Sequence, residues 1–236
     1  MAHELPALPV GLQRFDELRR DNALYIDKTM YLPMLRKTGK VVFCSRPRRF
    51  GKSLTIRALD AFYSGRTDLF RGLAAEEHME SPAFTPRPVI RLDMSEPAGS
   101  GSKAILEEKL AELLKDNAER HGVSLRGSDS SGAFSFLLRD VHKATGQTAV
   151  VLIDEYDAPI IKQLEKDPLV FNELLLAETR DVIRDLYSKI KSADDFIEFA
   201  FITGVTKFSG MGLFSLLNNL TDISIRRDFG AFMGYT

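Results

Sequence analysis

The chemistry of this chain is concentrated in two short segments. Residues 45–54 read SRPRRFGKSL, and Gly51, Lys52 and Ser53 match the end of the phosphate-loop pattern G-x-x-x-x-G-K-[ST]. Gly51 lets the backbone approach a phosphate without a Cβ clash. The loop amides and a helix N-terminus offer free N–H donors and positive dipole to an anion. Lys52 would set a point charge on the β- and γ-phosphates, and Ser53 would offer a hydroxyl to Mg²⁺. Arg46 stands where the pattern has its first glycine, so Pro47 is expected to compensate by fixing one backbone angle. Arg46, Arg48 and Arg49 are either solvated loop charge or contacts for the nucleotide or for acidic groups of a partner. The nucleotide-binding set is thus Arg46, Pro47, Arg48, Arg49, Phe50, Gly51, Lys52, Ser53 and Leu54.

The second segment is VVLIDEYDAP, an apolar strand closing in Asp154-Glu155-Tyr156-Asp157. Asp154 at the strand tip would hold Mg²⁺ together with Ser53. Glu155, one residue on, would polarise an attacking water as general base. Adjacent carboxylates in different environments can divide two jobs in this way. Asp157 is expected to cap the next helix or to serve structurally. A third polar tip, Thr203 at the end of FAFIT, is a candidate γ-phosphate sensor, with Lys207 second; a strand-end hydroxyl satisfying backbone is the plainer alternative. Arg226 and Arg227 are either an arginine finger or solvated charge.

The elements that must position these residues are legible from hydrophobic periodicity. Apolar runs at 40–45, 89–94, 149–153 and 199–203 read as strands buried on both faces, with a fifth at 221–225. Helical spacing runs on from Lys52 through Leu54, Ala58, Leu59 and Phe62. It recurs over 103–120 (Ile105, Leu106, Leu110, Leu113, Leu114) and over 131–143. A long helix is expected to start at Pro168, with Phe171, Leu175, Val182, Leu186 and Ile190 on its stripe. Residues 96–103 and 126–132 read as loops within one domain. Alternating strands and helices imply an α/β sandwich on a mostly parallel sheet, with ligands outside the carboxyl ends of the strands.

Composition narrows the class further. A chain of 236 residues, 44% hydrophobic and 28% charged, can bury a real core and is neither collagen-like nor a disulfide scaffold. Thirty-two basic against thirty-three acidic residues give a net charge of −1, so bulk nucleic-acid binding is disfavoured. Cys44 is the single cysteine, which excludes an internal disulfide. The sequence shows no membrane-length apolar run and no signal-like start, so a cytoplasmic location is expected.

Taken together, YIDKT (residues 25–29), SRPRRFGKSL, VIRLDMS, VVLIDEYDAPI and FITGVTKFSGMGLFSLLNNLTDIS resemble the AAA-ATPase-like domain family, from about Gly11 to the C-terminus. RPRRFGKS is the family's own form of the loop, so the resemblance makes Arg46 normal. The resemblance implies a P-loop NTPase three-layer sandwich of AAA/ASCE-like type, with Lys52 and Ser53 at the phosphates, Asp154 beside the metal, Glu155 as catalytic acid and a polar sensor near Thr203. It implies an N-terminal segment, residues 1–40, packed on a core of 41–236. Within YIDKT, Asp27 and Lys28 are expected to pair or cap. Family members often continue into a helical lid and a PD-(D/E)XK nuclease-like domain. Neither pattern is found in this sequence, so nuclease activity is not carried over. The expected function is Mg²⁺-dependent ATP binding and hydrolysis coupled to conformational change. A weakly hydrolysing nucleotide-binding regulatory module is the alternative, and a small-molecule kinase fits less well. Expected partners are a nucleotide, with self-association or a protein partner open, nucleic acid only by family association, and no membrane.

Overall fold

The computed structural model describes residues 6–12, 14–167, 171–207, 217 and 219–234. Strands β1 (Val41–Ser45), β2 (Val89–Asp93), β3 (Ala149–Asp154), β4 (Ile197–Gly204) and β5 (Leu220–Asp222) form one sheet in the order β2-β3-β4-β1-β5. Every pairing is parallel. The helices are α1 (Phe15–Arg20), α2 (Leu32–Thr38), α3 (Lys52–Tyr63), α4 (Glu76–Glu80), α5 (Lys103–Arg120), α6 (Ser130–Thr145), α7 (Ala158–Leu164) and α8 (Glu173–Ser192). The α/β architecture expected from the alternating periods is therefore present.

Two apolar clusters sit on opposite faces of the sheet, and the pleat deals the strand residues between them. Val41 and Phe43 join Val151 and Ile153 on the face covered by α5, α6 and α8. Val42 and Cys44 join Val150, Leu152, Phe199 and Phe201 on the face covered by α2 and α3. Successive side chains point to opposite faces, so a strand buried on both sides must be apolar at every position. β3 is apolar from Ala149 to Ile153, and all six of its residues, the terminal Asp154 included, are buried. Phe15, Leu32 and Leu35 of the N-terminal helices lie in the second cluster.

Two boundaries and one core position differ from expectation for a clear local reason. α8 begins at Glu173, because the Asn172 side chain accepts the Leu175 N–H at 3.0 Å and caps the helix there. Phe171 thus precedes the helix, and Pro168 lies outside the described residues. β5 ends at Asp222, whose carboxylate accepts the Ser224 N–H at 2.9 Å and turns the chain before residue 225. On α5, Leu106, Leu110, Leu113 and Leu114 face the core, whereas Ile105 is exposed because its position falls off that stripe.

One glycine welds the ends of β3 and β4. A Cβ on Gly204 would lie 2.8 Å from Asp157 Oδ1 and press into the Tyr156 ring. Gly204→Ala is expected to destabilise the fold by about 1–3 kcal/mol through overpacking. Denaturant unfolding would measure this, and a stability within about 0.5 kcal/mol of the parent would mean that Tyr156 yields freely.

Candidate functional site

The loop between β1 and α3 is built to leave donors unused. α5, α6 and α8 are capped by the side chains of Ser102, Asp129 and Asn172, but no side chain caps α3 at Gly51. Its first-turn amides therefore keep the donor capacity and positive dipole that an anion takes up. Gly51 adopts φ +80°, the left-handed region that glycine enters without strain.

Arg46 needs no glycine at its own position. Its N–H continues the strand pattern to the Gly204 carbonyl at 3.1 Å, and the left-handed turn falls at Arg49 instead (φ +69°). The Arg46 guanidinium turns inward onto the carbonyls of Ser224 and Phe229. It clamps the loop to the chain beyond β5. Lys52 is buried, and its Nζ donates to the carbonyls of Arg46 (3.1 Å) and Pro47 (3.2 Å). Ser53 is exposed at the start of α3. Arg48 reaches out to Glu165 at 3.2 Å, as an exposed pair.

Parallel register carries the other residues to the same end of the sheet. Cys44 and Ser45 lie opposite Thr203 and Gly204, while Asp93 lies opposite Asp154. Because β4 stands between β1 and β3, Thr203 reaches the acidic tip: its hydroxyl donates to Asp154 Oδ1 at 2.6 Å, and both side chains are buried. The Glu155 N–H donates to the same oxygen at 3.0 Å. No bond to Asp154 Oδ2 is found among the described residues. That spare oxygen is of the kind Mg²⁺ takes, since the ion uses one or two carboxylates and completes its shell from substrate phosphates and water. No group of three or more His, Cys, Asp or Glu able to hold a metal ion is found among the described residues. The ion would therefore depend on the phosphates.

Glu155 is half-buried and sits at φ +49°, a conformation uncommon for a non-glycine residue and frequent at functional sites. Burial pushes its carboxyl above the ordinary value, and the Asp154 charge adds to this, while Lys52 opposes. The folded chain thus holds the Glu155 proton more tightly than the unfolded chain does. The ionised side chain costs stability as pH climbs from the ordinary carboxylate range through the raised folded value. Glu155→Gln is expected to raise the melting temperature above that window and to leave it unchanged at more acid pH. Thermal unfolding across a pH series would show this, and a gain equal at every pH would rule out titration as the cause.

The remaining candidates are placed elsewhere. Asp157 does not cap α7; its carboxylate accepts the N–H groups of Val205 and Thr206 and the Thr206 hydroxyl, tying down the chain after β4. Lys207 pairs with Asp222 at 2.8 Å, and Arg226 with Asp228 at 2.6 Å. Asp27 and Lys28 act separately. Asp27 accepts from the Thr29 N–H and hydroxyl and from the Ala74 N–H, while Lys28 donates to the Gly234 carbonyl at 2.7 Å.

A cleft that the sequence did not announce opens beside Gly51. It has a volume of about 360 Å³ and is lined chiefly by apolar groups, among them Leu24, Tyr25, Phe50, Leu54, Phe232 and Met233. Burial pushes the Tyr25 phenol up, so the ring is neutral. Three segments far apart in the chain make this wall, and only a motif spanning all three could have signalled it.

Comparison with known proteins agrees with this geometry. A family model described as predicted AAA-ATPase matches residues 9–214. An uncharacterised protein encoded in the vnfD 5′ region of Azotobacter chroococcum mcd 1 is 40% identical over 234 residues, covering 97% of this chain and 43% of that protein. The chain thus spans less than half the length of this relative. Among the described residues, no helix is long and apolar enough to cross a membrane.

Proposed function

The chain belongs to the AAA-ATPase-like family of predicted AAA-ATPases, and from that premise we propose that it binds ATP with Mg²⁺ at the loop after β1 and hydrolyses the γ-phosphate. Family membership supports ATP binding in general. The single observation that supports the finer reading is that parallel register sets the acidic pair Asp154-Glu155 at the same end of the sheet as the uncapped loop after β1.

In this reading Lys52 leaves the carbonyls of Arg46 and Pro47 for the β- and γ-phosphate oxygens, and the uncapped amides of α3 take up phosphate charge. Ser53 and Asp154 would hold Mg²⁺, which would neutralise charge developing on the phosphates. Glu155 accepts the proton of the attacking water, and its raised pKa brings it closer to the working pH of a general base. Thr203 is a positioning residue that orients Asp154. The nucleobase lies in the apolar cleft against Tyr25 and Phe50. Hydrolysis drives a conformational change in the cytoplasm, in a self-associated state or on a protein partner; nucleic acid enters only through family association.

One observation favours the weakly hydrolysing regulatory module: Thr203 is fully buried with its hydroxyl already given to Asp154, so it does not itself touch a phosphate. Calorimetric titration with Mg²⁺-ATP, followed by phosphate release on the same sample, separates the readings. Binding with release supports the ATPase, binding alone supports the module, and absence of binding refutes both.

A further inference from the structure

Away from the phosphate loop, a second polar cavity of about 170 Å³ opens between α3, the edge strand β2 and the C-terminal end of α5. Its walls carry five arginines, Arg14, Arg57, Arg66, Arg91 and Arg120, against two carboxylates, Asp16 and Asp60. Arg91 is unexpected there, because it interrupts the apolar residues Val89, Ile90 and Leu92 of β2.

The outer arginines are matched: Arg14 by Asp16 and Glu17, Arg66 by Asp68. Two of the inner three, Arg91 and Arg120, share one carboxylate. Asp60 accepts two bonds from Arg120, at 2.5 and 3.0 Å, and one from Arg91 at 3.4 Å. Arg57 has no hydrogen-bond or ion-pair partner among the described residues. Ser64 lies in the same wall, receiving a bond from Arg120 at 3.1 Å and donating to Asp60 at 3.2 Å. One carboxylate against three guanidiniums leaves two positive charges in excess. Half-buried like charges lining one cavity are costly unless a counter-anion joins them. Burial holds Arg91 below its usual pKa; the Asp60 carboxylate opposes this, the charges of Arg57 and Arg120 add to it, and Asp93 opposes more weakly.

We propose that this cavity binds a phosphate dianion, either free or as the terminal group of a small phosphomonoester. The guanidinium fork matches phosphate oxygens in pairs, and the excess charge equals that of one dianion. The volume admits a phosphate group but leaves little room for a nucleoside. Phosphodiester backbone, carrying a single charge per group, matches the excess less well.

The test is a calorimetric titration with inorganic phosphate at pH 8. The Lys52→Ala variant removes the phosphate loop from the result, and Arg57→Gln in that background interrogates the cavity. Phosphate is expected to bind the Lys52→Ala protein and to bind the double variant about tenfold more weakly or worse. Arg57→Gln alone is expected to leave the melting temperature without phosphate, and Mg²⁺-ATP binding, unchanged, because Arg57 makes no internal bond. Arg57→Lys, which keeps the charge and loses the fork, is expected to bind at intermediate strength. Glycerol 3-phosphate distinguishes the sources: binding equal to inorganic phosphate identifies a phosphomonoester group, and binding of inorganic phosphate alone identifies the free anion. Equal phosphate affinity in the single and double variants would overturn the proposal. So would the absence of phosphate binding to Lys52→Ala, or preference for a short oligonucleotide.

Discussion

Glu155→Gln is expected to slow phosphate release by roughly 10²–10⁴-fold while Mg²⁺-ATP still binds. The amide keeps the size and the φ +49° backbone of the glutamate and loses the ability to take a proton from water. The Glu155 N–H bond to Asp154 Oδ1 is a backbone bond and survives the change. The groups assigned to the phosphates and Mg²⁺ therefore stay in place. Single-turnover phosphate release and calorimetry on the same protein separate the two effects. Unchanged turnover would remove Glu155 from the mechanism, and lost binding would mean that its carboxylate holds the metal. The rate of the parent is expected to rise with pH as Glu155 ionises, since its carboxyl is held above the ordinary range.

Lys52→Ala is expected to weaken Mg²⁺-ATP binding by about 10–100-fold, the worth of a charge-assisted contact to phosphate. Lys52 is nearly buried, and among the described residues its ammonium bonds the carbonyls of Arg46 and Pro47. Those carbonyls accept from any donor, and the neighbouring loop residues Pro47, Arg48 and Arg49 are exposed. Water can therefore replace the ammonium, and the fold is expected to persist. Unfolding measured alongside calorimetry checks that the loss is local. Affinity equal to the parent would refute the assignment of the phosphate loop. Joined with Glu155→Gln, the pair distinguishes a binding defect from a chemical one.

The sheet was largely written in the chain. A strand covered on both faces must be apolar at every position, and 149–153 is; an amphipathic helix repeats every third or fourth residue, and 103–120 does. Gly51-Lys52-Ser53 after an apolar run and Asp154-Glu155 at the end of another are local patterns, so the loop and the acidic tip could be read without the fold. Boundaries were less legible where a side chain decided them, as with Asn172 at the start of α8 and Asp222 at the end of β5.

Pairing between distant segments was out of reach of local pattern. The strand order put Thr203 on Asp154, 49 residues away, where its hydroxyl holds a carboxylate oxygen. Tertiary contact also gave Arg46 to the carbonyls of Ser224 and Phe229, which explains how the loop closes without its first glycine. It brought residues 24–26, 50–54 and 232–234 around one cleft, and gathered Arg57, Arg91 and Arg120 around Asp60. Periodicity reports which face of an element is buried, because that depends on neighbours along the chain. Which polar groups meet at a sheet end or in a cavity depends on strand order and helix packing, and these exist only once the chain has folded.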